Sequence, residues 1–122
     1  MPRRMLVADD NANMREMLAS AFSDKDFTVA EASNGLDAIN MVREQPFDVI
    51  ITDLNMPGAN GIAVLRAARD IAPDTKVLVI TAFGTVDTAV EAMRLGAYDF
   101  IGKPFKIAEI ELKVDMMLRE AE

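Results

Sequence analysis

Apolar residues in this chain fall into short unbroken runs, separated by stretches in which they recur every three or four positions. The runs at Met5 to Ala8, Thr28 to Ala32, Val49 to Thr52, Val77 to Thr81 and Asp99 to Ile101 are rich in aliphatic and β-branched residues and read as strands. Val86, Ala89, Val90 and Met93, and later Ile107, Ile110, Val114, Met117 and Leu118, recur at the helical spacing and mark amphipathic helices. Strand and helix patterns alternate from one end to the other, giving five strand–helix units.

The boundary signals agree with that division. Asn34 is placed to cap a helix starting at Leu36, Pro46 halts that helix, and Gly96 is placed to end the helix before Tyr98. Parallel strands need crossover connections, and strict β/α alternation supplies them as helices, so the pattern predicts a single α/β domain: a doubly wound parallel sheet of five strands, helices on both faces. The last helical pattern runs almost to Glu122, so one domain is expected over 1–122, with no room for an output module in this chain.

Composition narrows the chemistry. The 122 residues include no cysteine and no histidine, which excludes disulfides, thiolate and imidazole catalysis and Cys/His zinc sites. A net charge of −7 opposes unaided binding to nucleic acid or to an anionic membrane. No apolar stretch is long enough to span a bilayer and the N-terminus has no signal-peptide pattern, so a cytoplasmic location is expected.

In a sheet of this kind ligands bind at the carboxyl ends of the strands. Those ends carry Asp9-Asp10 after the first strand, Asp53 at the third, Thr81 at the fourth and Lys103-Pro104 past the fifth. Singly, each has an ordinary reading: Asp forms turns, Thr suits strands and Lys is usually a solvated charge. Together they are costly without a partner, since two like charges about 4 Å apart repel by roughly 4 kcal/mol at an effective dielectric near 20. An all-oxygen set suits a hard divalent cation such as Mg²⁺, which keeps waters and leaves room for a phosphate oxygen. Lys103 and Thr81 can then meet a phosphoryl group, and Asp53, on the central strand, is the candidate nucleophile. The Met56-Pro57-Gly58 turn bends the backbone behind it and can aim the Asn55 carbonyl at the metal.

The DD pair, DLNMPG at Asp53 to Gly58, Thr81-Ala82 and Lys103-Pro104-Phe105 resemble, in order and spacing, the motif set of response-regulator receiver domains of two-component signalling, the CheY-like superfamily. That resemblance covers essentially the whole chain. It implies a flavodoxin-like (βα)5 fold of strand order 2-1-3-4-5. It also implies Asp53 as phosphoacceptor, Asp10 as a direct Mg²⁺ ligand, Asp9 acting through water and the Asn55 carbonyl as the remaining protein ligand. Lys103, Thr81 and Ala82 would contact the phosphoryl group, and the Lys103–Pro104 bond would be cis. In the implied switch Thr81 moves toward the phosphoryl oxygens and Phe100 turns inward, changing the face made by the fourth helix, fifth strand and fifth helix. Plain core packing is the other reading of Phe100. Phe83, two residues beyond Thr81, is placed to shield an acyl phosphate from water.

The phosphodonor must be a histidine on another protein, a sensor histidine kinase or a histidine phosphotransfer protein, with Met14 and Met17 of the first helix as a docking surface or as core filler. The segment from Thr81 to Phe105 is most similar to receivers of the nitrogen-regulator type, which precede an ATPase module in sigma-54-dependent activators. Output through transcription is therefore expected, with a stand-alone regulator as the alternative and phosphorylation-dependent dimerisation through the switch face as an associated property. A Mg²⁺-dependent phosphatase would place two aspartates one residue apart after the first strand, which Asp9-Asp10-Asn11 does not. A flavin or nucleotide binder would want a phosphate loop where DDNANM puts two negative charges. A phosphorylation-independent interaction module would be expected to lack the acceptor or the lysine. The domain is expected to be a self-phosphorylating switch rather than a multiple-turnover enzyme.

Overall fold

The structure is a computed structural model that describes residues 2–56, 58–82 and 86–120. Five strands, β1 (Arg3–Ala8), β2 (Phe27–Ala32), β3 (Val49–Asp53), β4 (Lys76–Thr81) and β5 (Asp99–Gly102), alternate with α1 (Ala12–Ser23), α2 (Gly35–Glu44), α3 (Gly61–Ile71), α4 (Val86–Arg94) and α5 (Ile107–Glu120). All strand pairs are parallel and the order is β2-β1-β3-β4-β5. The expected sheet is therefore present. The strands reach one or two residues beyond the apolar runs, because ladder pairing continues through polar residues such as Arg3, Arg4, Lys76 and Asp53 that carry no hydrophobic signal.

Alternation along each strand divides the core. Met5, Val7, Val49 and Ile51 point to one face of the sheet, where Leu18 and Phe22 of α1 and Ile110, Val114 and Met117 of α5 cover them. Leu6, Ala8 and Ile50 point to the other, covered by Val42 of α2, Val64, Leu65 and Ala68 of α3 and Ala92 of α4. Side chains such as Leu6, Ile50, Leu65 and Ile110 are completely buried, each worth about 1.5–3 kcal/mol relative to exposure.

Asparagine caps set where three helices begin. Asn11, Asn34 and Asn60 each accept a hydrogen bond from the backbone N–H three residues on, at Met14, Asp37 and Ala63. The Asn34 cap starts α2 at Gly35, one residue earlier than the apolar pattern suggests, and Gly96 follows α4 with φ +105°. Among the described residues no helix is long and apolar enough to cross a membrane.

Candidate phosphoryl-transfer site

Register brings the chemistry together. Ala8 is paired with Thr52, so the chain leaving β1 places Asp9 beside the end of β3. Asp53 is paired with Ile80, and Leu54 N–H donates to the Ile80 carbonyl, which holds the strand end against β4. Gly102 is paired with Thr81 and the Lys103 N–H donates to the Thr81 carbonyl, so Lys103 leaves the sheet directly above its neighbour. The Lys103–Pro104 peptide is cis.

The three carboxylates of Asp9, Asp10 and Asp53 each offer an oxygen, and these oxygens lie within 4.8 Å of one another. Asp9 and Asp53 are buried, whereas Asp10 and Asn55 are exposed at the mouth. Asp53 Oδ1 accepts from the Asn55 N–H at 3.0 Å and Oδ2 accepts from Lys103 Nζ at 2.9 Å. Asp9 Oδ1 accepts from the Asn11 N–H at 2.9 Å. Among the described residues its Oδ2 is buried with no hydrogen-bond partner, and the Lys103 ammonium stands 3.5 Å from it.

Electrostatics follow from that arrangement. Burial pushes the Asp9 carboxyl above its ordinary range; the Asn11 N–H and Lys103 pull it back, and the charges of Asp53 and Asp10 push it up again. Burial alone would lower the Lys103 ammonium, but its hydrogen bond to Asp53 and the charges of Asp53 and Asp9 leave it raised and firmly protonated. One cation is thus shared between two carboxylates of a cluster of three. The orphaned Asp9 oxygen, the excess negative charge and the all-oxygen donor set together fit a hard divalent cation.

Thr81 is buried with its hydroxyl donating to the Ala82 carbonyl at 3.3 Å, and Ala82 itself is exposed beside the site. Gly58 turns the chain after β3 with φ +74°, a conformation that favours glycine. Phe100 is 44% exposed on β5, so in this structure it is not core filler. Met14 is partly buried against the core and Met17 is 44% exposed. Pro57 and Phe83 lie outside the described residues.

Two supporting residues carry no sequence signal of their own. Arg15 donates to the Asp9 carbonyl at 2.8 Å while its Nε pairs with Glu31 at 3.3 Å, tying the acidic turn to α1 and β2. Gly61 opens α3 against the Asp53 carbonyl, where a side chain would collide. Only the register that sets α1 beside β2 and α3 beside the end of β3 makes either visible.

The family model described as response regulator receiver domain matches residues 5–115. Regulatory protein AtoC of Escherichia coli is 39% identical over 95% of this chain, and the match covers 25% of that protein. Chemotaxis protein CheY of Thermotoga maritima is 37% identical over 90% of this chain and 92% of its own length. The crystal structure of NtrX from Brucella abortus superposes with a TM-score of 0.91 at 30% identity, covering 99% of this chain and 28% of that one. The chain thus spans about a quarter of the length of AtoC and NtrX. It belongs to the response regulator receiver domain family, the phosphorylation-controlled switches of two-component signalling. Receivers of this family accept phosphoryl groups from histidine kinases or phosphotransfer proteins.

Proposed function

We propose that Asp53 accepts a phosphoryl group from a phosphohistidine of a sensor histidine kinase or histidine phosphotransfer protein. The observation that carries this is the shared cation: Lys103 Nζ lies 2.9 Å from Asp53 and 3.5 Å from the otherwise unpaired Asp9 oxygen. A carboxylate oxygen of Asp53 attacks phosphorus, an O–P bond forms, the P–N bond to the donor imidazole breaks, and that imidazole leaves and takes up a proton. Lys103 neutralises the incoming phosphoryl oxygens, while the Thr81 hydroxyl and the backbone at Ala82 hydrogen-bond to them.

Asp10, Asp53 and the Asn55 carbonyl are the residues to hold Mg²⁺ directly, with Asp9 through water. When bound, the ion supplies charge neutralisation for the carboxylates and for the phosphoryl oxygens. Gly58 shapes the turn that presents Asn55, and Pro104 directs Lys103 inward.

Turning Thr81 toward the phosphoryl group lets Phe100, now 44% exposed, move inward, which changes the α4–β5–α5 face read by the output. The same face is the site of phosphorylation-dependent dimerisation. The domain acts in the cytoplasm as a timed switch that phosphorylates and dephosphorylates itself, not as a multiple-turnover enzyme, and does not bind nucleic acid directly. Its similarity to transcriptional regulatory protein ZraR of Klebsiella oxytoca supports transcription as the output, whereas its near full-length match to Thermotoga CheY supports a stand-alone regulator acting on a partner protein.

Intact-mass spectrometry after incubation with Mg²⁺ and a small acyl-phosphate donor tests this reading. One added phosphoryl group that requires Mg²⁺ and is absent in Asp53→Asn is expected. No adduct, together with no binding of a stable phosphoryl mimic, would sink it.

A further inference from the structure

Two of the three clustered carboxylates leave β1 through a single peptide group. Asp9 is buried, and Asp10, its neighbour, is exposed at the mouth. Peptide planarity puts the Asp9 carbonyl and the Asp10 N–H in one plane, so whatever holds that carbonyl also sets the direction in which Asp10 departs. Arg15 holds it: Nη1 donates to the Asp9 carbonyl at 2.8 Å while Nε pairs with Glu31 at 3.3 Å. On the other side the Asp9 N–H donates to the Ala32 carbonyl at 3.1 Å, and Asp9 Oδ1 accepts from the Asn11 N–H at 2.9 Å. Among the described residues no hydrogen bond reaches the Asp10 carboxylate itself. Its position is therefore inherited from the peptide before it.

The chemistry of the brace points to geometry. A guanidinium presents its N–H donors in a rigid planar fork, so the bond to Glu31 fixes the direction of the bond to the carbonyl. A lysine ammonium is a compact charge on a flexible stem and cannot transmit a direction in that way. Glu31 stands on β2 in register with Val7 of β1, so the brace is referenced to the sheet. Arg15 stands in the first turn of α1, its own N–H donating to the Asn11 carbonyl at 3.0 Å. Sheet, helix and acidic turn thus close one ring of contacts. With Glu31 on the surface, the ion pair adds little to global stability. What it orients is the backbone beside the metal ligands.

We propose that Arg15, oriented by Glu31, is a positioning residue that holds the Asp9–Asp10 peptide for Mg²⁺ and so sets the preference of the pocket for Mg²⁺ over Ca²⁺. This rests on the metal site proposed above. Mg²⁺ demands short bonds in near-ideal octahedral geometry, whereas Ca²⁺ takes longer bonds and tolerates irregular arrangements. Freeing the peptide therefore costs Mg²⁺ more than Ca²⁺. Removing a positive charge without changing the geometry would act on the two divalent ions alike.

Backbone-amide chemical shifts, followed through separate titrations with Mg²⁺ and with Ca²⁺, read both dissociation constants. Arg15→Ala is expected to weaken Mg²⁺ binding by about tenfold, the scale for losing a group that orients a metal ligand, and Ca²⁺ binding by about threefold or less. Arg15→Lys keeps the charge but not the fork and is expected to follow Arg15→Ala. Glu31→Gln shifts the ratio in the same direction by a smaller factor, with a urea midpoint near that of the parent. Arg119→Ala, which removes the same charge from an exposed position on α5, leaves both constants unchanged. Parent-like Mg²⁺ affinity in Arg15→Ala, an equal loss for the two ions, or full recovery in Arg15→Lys overturns the inference. Should Arg15→Ala fail to fold, an unchanged ratio in Glu31→Gln overturns it. A parent that binds neither ion removes the metal site as well, so the two failures are told apart.

Discussion

A β-carbon on Gly61 would stand 2.3 Å from the carbonyl oxygen of Asp53 and 2.7 Å from the Cα of Leu54. Both neighbours are backbone and cannot rotate away. The first turn of α3 therefore packs directly on the residue that bears the reactive carboxylate, with the Gly61 N–H donating to the Leu54 carbonyl at 3.2 Å. Gly61→Ala is expected to cost about 1–3 kcal/mol in urea unfolding, the range of overpacked sites. It should also slow phosphorylation of Asp53 through displacement of the strand end. Unchanged stability would mean that α3 can shift freely.

Burial of Asp9 sets an expectation for the metal-free protein. Its carboxyl titrates above the unfolded value of 3.8, so between those two pKa values the folded state holds more protons than the unfolded one. This group's contribution therefore becomes less favourable as pH rises through that window, and its cost is fully present above it. In the presence of a chelator Asp9→Asn is expected to be more stable than the parent at neutral pH, with the difference shrinking as pH falls through that window and gone below 3.8. Urea midpoints across pH give the answer, and a less stable variant at neutral pH would contradict it.

Mg²⁺ should reverse that cost. A ligand that binds only the folded state at about 100 times its Kd contributes about 2.7 kcal/mol. Thermal unfolding is expected to shift upward with Mg²⁺ in the parent and to respond weakly in Asp10→Asn, whose carboxylate belongs to the three-Asp cluster. An equal Mg²⁺ response in both would place the ion elsewhere.

Tyr98 is the only tyrosine of a chain with no tryptophan, so its ionisation can be followed directly by near-ultraviolet absorbance. Its hydroxyl donates to the Glu120 carboxylate; that bond, then burial and the negative charges of Glu120 and Asp99, push its pKa up to about 12 from 10.0. The resulting stabilisation is fully present below 10.0 and is lost as pH rises through about 12. Glu120→Gln is expected to bring the titration back toward the ordinary value. A titration near 10.0 in the parent would show that the last turn of α5 is not held to Tyr98 in solution.

Phe100 tests the switch separately from the fold. Because it is 44% exposed, Phe100→Ala is expected to change stability by no more than about 0.5 kcal/mol. The phosphorylation-dependent signal of a fluorophore placed on α4 should nevertheless fall. A large loss of stability would instead assign the ring to the core.

The elements and the site were unequally legible before folding. Apolar runs revealed β1, β3 and β4 most plainly, because these central strands are buried on both faces and carry a nearly unbroken hydrophobic signal, whereas the edge strands β2 and β5 are only partly buried and were marked by shorter or interrupted apolar stretches. Their polar ends at Arg3, Lys76 and Asp53 escaped, since ladder pairing leaves no trace in composition. Asp9, Asp10, Asp53, Thr81 and Lys103 stood out because strand ends in a parallel sheet gather at one edge. Arg15 and Gly61 did not, as the contact each makes depends on how a helix packs against the sheet.

The sequence by itself determined the alternation of strands and helices, the asparagine that opens α2, the glycine after α4 and the residue types gathered at the strand ends. These follow from local periodicity, capping and turn chemistry, which act over a few residues. Only the tertiary structure decided that Lys103 reaches Asp53 at 2.9 Å across fifty positions of chain, that Asp9 Oδ2 is buried without a hydrogen bond, and that Phe100 stands outward. Those distances and exposures depend on register between strands and on which face each helix covers, and both are set when the whole core closes at once.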